Sequence, residues 1–532
     1  MGRQDAVIAN PWTGDYRIDA LIEGPSFRWN FDTSDPDRWG QPAKLSFSFM
    51  TQVPSYASPE DGLGFKAFTA AQKAIVRECL HELSLIINVD FVEIVETTLD
   101  WGQLRFGNSL QTREQTAGYT YLPNDEAAGE SSGDVYIAIG FDRDYEAGGA
   151  DKETLLHEIG HAMGLKHPGD YDKTDTLAQQ TSGNFLGRSE DSTLFTIMSY
   201  QSHPQGLSRD DFGLYDLLAL RKMYGVRPFH VSDDHYRLGN LSGSWQATLL
   251  DDGGNDKLDL SALSSAVQIN LNPGAFSSVG KTPMGKPAID NLSVAVDTMI
   301  EAVVGTTYSD KIIGNAISNR IEPLSGFDTI DGGPGIDTVV YEYPRSLYQI
   351  SIPKRESSNR VIEVQAKNAP NFARPELKHD ELTDIERIQF KDVGLAFDLA
   401  FNAGLAVKLL HLAFGDVDVS PALNGNVLRY VDQYSLAQGE VPLQAIEDLL
   451  MLDVFWGAAT ERTDRALTTL LLKRIWDQDP NSEENAELIN GLTPLVPIFG
   501  GQAGFVQYIA NHPDFELQID FARYVSQGLL WT

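Results

Sequence analysis

His157-Glu158-Ile159-Gly160-His161-Ala162-Met163-Gly164-Leu165-Lys166-His167 sets three imidazoles, a carboxylate and two glycines within eleven residues. On a helix, residues four apart share a face, so His157 and His161 can address one metal ion. Glu158 sits beside the first ligand, where it can reach a water on that ion without taking a coordination position. Gly164 lets the chain leave the helix in a conformation that costs other residues more. His167 then returns as a third nitrogen ligand. Three protein ligands leave a position open for water, which is the pattern of a catalytic rather than a structural zinc. A bare H-E-x-x-H arises by chance in many helices, but the added glycine and third histidine at fixed spacing are far more specific.

This motif resembles the metzincin signature, and the Pro168-Gly169 that follows is similar to the serralysin branch. The resemblance implies a Met-turn downstream, and Thr196-Ile197-Met198-Ser199-Tyr200 has its form. Met198 would then pack beneath the zinc, a structural role shared with Gly164. Taken alone, a methionine in an apolar run is more often plain core. The resemblance also implies that Tyr200 is a movable further zinc ligand that stabilises the oxyanion. Resemblance extends over residues 14–225 and includes the closing helix expected at residues 216–225.

The chain has 532 residues and a net charge of −34, with 75 acidic against 41 basic side chains. Such a surface repels phosphates and argues against a nucleic-acid partner. It suits a dispersed protein or one that binds calcium. The single cysteine, Cys79, excludes an intramolecular disulfide and reads as a small buried helix residue. No run is long and apolar enough to span a membrane. The first residues lack the basic-then-apolar layout of a secretory signal.

Apolar alternation predicts strands at residues 44–49, 89–95, 104–106 and 135–139. Helices are expected at residues 68–87, with Thr69 and Gln72 forming a capping box, and at residues 152–163. Strands alternating with helices mean an α/β layer domain. Residues 1–40, polar and rich in Pro, Gly, Asp and Trp, read as an extended lead-in or propeptide remnant, and residues 41–232 as the metzincin, zincin-type catalytic domain. Metzincin substrates generally lie along an edge strand of the sheet, by strand addition; which strand that is stays open.

Residues 233–398 change texture. Asp251-Asp252-Gly253-Gly254-Asn255-Asp256-Lys257-Leu258-Asp259 crowds carboxylates around two glycines, as hard-cation sites do. Residues 269–277 resemble the serralysin segment after its first calcium turn. Further on, Asp310, Asn319, Asp328 and Asp337 recur every nine residues, each followed two positions later by Ile312, Ile321, Ile330 or Val339. That period matches the RTX-type parallel β-roll, whose glycine-rich corners supply oxygens to calcium. Gly332-Gly333-Pro334-Gly335-Ile336-Asp337 is a full copy, whereas Tyr308 and Ile317 stand where glycine is usual. Asp251, Gly253, Asp256, Asp259, Asp328, Gly333, Gly335 and Asp337 are therefore the candidate calcium ligands, for fewer ions than a typical serralysin holds. The resemblance implies export from a Gram-negative bacterium by type I secretion machinery, which calcium-driven folding outside the cell would suit.

Residues 399–532 turn helical and depart from the serralysin pattern. Residues 408–415 weakly resemble a helical module attached to some RTX exported proteins. The last five residues are apolar, as an export signal could be, without the acidic-plus-aliphatic ending common in serralysins. The expectation is a multidomain α/β plus β protein: catalytic domain, RTX-like β-roll and extra C-terminal α-helical domain. Its function would be that of a secreted, extracellular zinc endopeptidase, with Zn²⁺ on His157, His161, His167 and Tyr200, Glu158 as general base and Ca²⁺ in the roll. Its partners would be a protein or peptide substrate and a proteinaceous inhibitor. Two alternatives stand beside it: a calcium-dependent binding or surface protein on a retired protease fold, and a narrow-specificity protease whose helical tail recruits a partner.

Overall fold

Thr69 opens the first long helix, Ala70–Ile86, with a reciprocal cap: Gln72 N donates to Thr69 Oγ1 at 3.2 Å and Thr69 N to Gln72 Oε1 at 2.9 Å. The computed structural model describes residues 6–8, 11–97, 99–110, 116–141, 145, 148–171, 184–239, 245–352, 361–367, 379–415, 419–433, 441–457 and 459–532. The chain divides into two compact units, Met1–Ala302 and Val303–Thr532. The lead-in, the catalytic segment and the start of the roll segment fall in the first unit. The remaining roll and the helices fall in the second.

In the first unit, the strand Ala43–Phe49 pairs in parallel with Val89–Glu93 on one side and Leu104–Ser109 on the other. Asp134–Ala138 continues the parallel sheet, and Gly118–Thr120 closes it as an antiparallel edge strand. Leu45, Phe47, Phe106, Val135 and Ile137 bury their side chains in one core with Leu80, Leu83, Leu155 and Ile159 from the helices. Cys79 is 1 % exposed within it.

Residues 11–40 are not an extended lead-in. Ile18, Leu21 and Ile22 lie in the same core, and a short helix runs Tyr16–Asp19. This segment braces the end of the helix Ala150–Ala162, which carries the histidine motif. Trp29 Nε1 donates to Ala162 O at 2.8 Å, and Lys166 N donates to Leu21 O at 2.8 Å. Helix ends leave carbonyls without intrahelical partners, and the Trp29 bond satisfies one of them, while the Lys166 bond ties down the turn that follows. Gly164 sits in that turn at φ +99°, and a Cβ there would lie 2.2 Å from Phe27 O. Both the dihedral and the close approach demand glycine.

In the second unit, Lys311–Ile313, Thr329–Asp331 and His379–Thr383 stack in parallel, as do Arg320–Glu322, Thr338–Val340 and Arg387–Gln389. Ile312 lies opposite Ile330 and Ile321 opposite Val339, so two nine-residue half-turns make one coil. All four side chains are fully buried. Aspartates complete the corners: Asp310 N donates to Asp328 Oδ1 at 2.8 Å and Asn319 N to Asp337 Oδ1 at 2.7 Å. From Asn402–Phe414 onward the chain is mainly helical, through Pro421–Val431, Leu443–Met451, Asp464–Trp476, Glu483–Leu492 and Gln502–Ala510. The final strand Leu529–Trp531 returns to pair antiparallel with Gly394–Ala396.

Candidate metal centre

The helix Ala150–Ala162 and the turn after it bring three imidazoles to one point. His157 Nε2 lies 3.2 Å from His167 Nε2, and His161 Nε2 lies 3.1 Å from it. Tetrahedral zinc with Zn–N bonds of about 2.0–2.1 Å would hold its nitrogens about 3.3 Å apart. The tautomers are set by the opposite ring nitrogens. His157 Nδ1 faces Ile197 O at 2.8 Å and His161 Nδ1 faces Leu165 O at 2.8 Å. A carbonyl only accepts, so each Nδ1 carries the proton and each Nε2 offers its lone pair. Burial lowers His157 to about 4 and His167 to about 3, and holds His161 well below the ordinary imidazole value. Neutral imidazoles with converging lone pairs fit a cation.

Glu158 is 4 % exposed and points at the edge strand. Thr120 Oγ1 donates to its Oε2 at 2.7 Å. Burial raises the carboxyl to about 8, against the lowering effect of that hydrogen bond. A cation on the neighbouring nitrogens would draw this value down.

Met198 is fully buried, and a Cβ at Gly160 would lie 2.6 Å from its Sδ, so the thioether packs under the motif helix between the two helical histidines. The turn that carries it is held by Asp216, at the start of the helix Leu214–Tyr224. This carboxylate accepts from Thr196 Oγ1 at 2.6 Å, Ile197 N at 2.7 Å and Gly213 N at 2.7 Å. Asp216 thereby fixes the residue whose carbonyl orients His157. Tyr200 is 54 % exposed beside the site. Its ring centroid lies 4.3 Å from that of His167 and 6.0 Å from that of His157, and its ring stacks on Tyr171 at 4.5 Å.

A family model described as Peptidase M10 serralysin C terminal matches residues 221–352. The serralysin of Photorhabdus laumondii subsp. laumondii is 29% identical over 324 residues, covering 57% of this chain and 64% of that protein. Serralysin G of Dickeya chrysanthemi is 30% identical over 317 residues, covering 56% of this chain and 64% of that protein. Metallopeptidase AprA of Pseudomonas marginalis is 30% identical over 304 residues, covering 52% and 61%. This chain is serralysin-like. It spans a little under two thirds of the length of the curated relatives it matches.

The serralysin-like chain places its candidate calcium residues unevenly. Oxygens of Asp251 and Asp256 come within 4.8 Å of each other and of Asp234, which carries no motif signal in the sequence. Asp259 is not part of that group. Burial pushes its carboxyl up, but hydrogen bonds from Ser261 and Arg237 outweigh this and hold it at about 2. Its Oδ2 takes Arg237 Nε at 3.2 Å, so an arginine already neutralises it. Asp328 and Asp337 occupy successive corners of the coil, each with a buried Oδ2 that no donor reaches among the described residues, as does Asp256. Gly253, Gly333 and Gly335 all stand at positive φ. Buried carboxylate oxygens without donors fit a hard cation.

Three residues that matter at the candidate metal site carry no motif of their own: Thr120, Gly118 and Asp216. Thr120 meets Glu158 across 38 residues of sequence. Asp216 does offer a local hint, since an acidic residue in the first helical turn often caps its own helix.

Proposed function

We propose that this serralysin-like chain is a secreted zinc endopeptidase, and the observation that carries the reading is the convergence of three Nε2 atoms beside Glu158. His157, His161 and His167 would hold the ion, with Tyr200 as a further ligand. Bound zinc supplies Lewis acidity, lowering the pKa of a water and polarising a peptide carbonyl. Glu158 takes the proton from the attacking water and passes it to the leaving amine. Tyr200, half exposed at the mouth of the site, turns its hydroxyl toward the oxyanion. Met198 gives the histidines a fixed apolar floor. The edge strand Gly118–Thr120 runs beside Glu158, and an extended substrate pairs along the side that meets no other strand among the described residues. A product map of a denatured protein tests the reading. Internal cleavage sites are expected, and terminal trimming alone would contradict it.

In the same reading, Asp234, Asp251 and Asp256 would hold one Ca²⁺, and Asp328 and Asp337 would offer their unpartnered Oδ2 atoms to others at the coil corners. Burial, reinforced by neighbouring carboxylates, raises Asp328 and Asp337 far above the ordinary carboxylate range, so a cation relieves a real electrostatic cost. Removing calcium is therefore expected to lower the melting temperature. At calcium one hundredfold above Kd, the lost stabilisation is about 2.7 kcal/mol per site. Scanning calorimetry with excess calcium and with a calcium chelator measures it; identical melting temperatures would rule the calcium sites out. Calcium-driven folding suits release through type I secretion machinery. No helix among the described residues is long and apolar enough to cross a membrane.

A further inference from the structure

The carboxylate of Glu158 is enclosed by two alternate residues of the edge strand, which therefore face the motif helix together. Thr120 Oγ1 donates to Oε2 at 2.7 Å. The same hydroxyl lies 3.2 Å from Glu158 O, the longer and uncharged alternative. Gly118 borders the other oxygen: a Cβ there would lie 2.7 Å from both Cγ and Oε1 of Glu158. Among the described residues no hydrogen bond engages Oε1. The strand thus grips one oxygen and leaves the other able to accept a proton.

We infer that Thr120 is a positioning residue for the general base, and that the strand an extended peptide would join is also the element that orients Glu158. The inference rests on the peptidase reading above. A free glutamate side chain samples several rotamers, and a base must sit within hydrogen-bond reach of its proton to be useful. Thr120 removes that freedom through a charge-assisted hydrogen bond. The bond also makes the carboxylate a slightly weaker base, so the two effects oppose each other. Orientation dominates, because misplacing a reacting group by about 1 Å can cost about a hundredfold in rate. Peptide pairing along the strand would further press Thr120 and Gly118 against the carboxylate, so substrate binding tightens the grip on the base.

The test compares Thr120→Val, Thr120→Ser and Gly118→Ala in the full chain. Valine keeps the branched shape and the strand preference while removing the donor. Serine keeps the donor. Alanine at position 118 displaces the carboxylate from the other side. For Thr120→Val, kcat on an extended peptide is expected to fall about tenfold, with KM changed by no more than about twofold. Thr120→Ser is expected to recover most of kcat, whereas Gly118→Ala falls in the same way as the valine variant. Zinc content is expected to match the parent in all three, and melting temperature to match it in Thr120→Ser. A crystal structure of Thr120→Val reads the point without any assay: the Glu158 carboxylate is expected to lose its single rotamer. An unchanged rotamer, an unchanged kcat in Thr120→Val, or a serine variant as impaired as valine would each overturn the inference. A zinc-loaded parent that cleaves no peptide defeats the peptidase reading instead, and the rotamer comparison still decides the role of Thr120.

Discussion

Glu158→Gln is expected to lose about a thousandfold in kcat on a denatured protein substrate, while zinc content and melting temperature stay at the parent values. General acid–base groups contribute typically about 10²–10⁴-fold, and in the proposed mechanism one residue serves both proton transfers. The substitution is close to isosteric, and its amide oxygen can still accept from Thr120 Oγ1, which now lies 2.7 Å from Oε2. Glu158 is not among the three converging nitrogens, so the metal site itself is left whole. What disappears is the oxygen that accepts a proton. Steady-state kinetics beside metal analysis separates the two effects, and a Gln variant at full activity would remove Glu158 from the chemistry.

Asp216→Ala is expected to act on stability and metal affinity together. Its carboxylate is fully buried and accepts three hydrogen bonds, from Thr196 Oγ1, Ile197 N and Gly213 N. Removing it strands three donors in the interior at roughly 1–3 kcal/mol each, so the loss is roughly 3 kcal/mol or more. The turn it holds carries both Met198 and the Ile197 carbonyl that accepts from His157 Nδ1. Outer partners of metal-ligating histidines typically matter by about 10–100-fold in metal affinity. A lowered melting temperature with zinc binding weakened by about that factor is the expected pair of results. Unchanged zinc affinity in a destabilised variant would limit Asp216 to the fold.

Glu158 and Thr120 mark what sequence could and could not carry. Glu158 and the three histidines were legible because their chemistry is local: helical spacing and one glycine place four side chains within eleven residues. The coil was legible for a similar reason, as its nine-residue period repeats the same half-turn, and Ile312, Ile321, Ile330 and Val339 all face inward. Thr120 was hidden because the edge strand is three residues long and shows no alternation to read. Its partner lies 38 residues away, a distance no local pattern spans. Residues 11–40 misled for the opposite reason. Their Pro, Gly and Asp content speaks of loop, but Ile18, Leu21 and Ile22 fill the core beneath the turn to His167. Asp259 shared the acidic texture of its neighbours, and only the fold reveals Arg237 against it.

The most direct test of the catalytic centre is zinc content measured in parallel with hydrolysis of a denatured protein, before and after removal of the metal. One zinc per chain at the three-histidine site is expected, with cleavage lost on chelation and restored by zinc. Undiminished cleavage by metal-free protein, or a fully zinc-loaded chain that cuts no peptide bond across a broad set of substrates, would contradict the account.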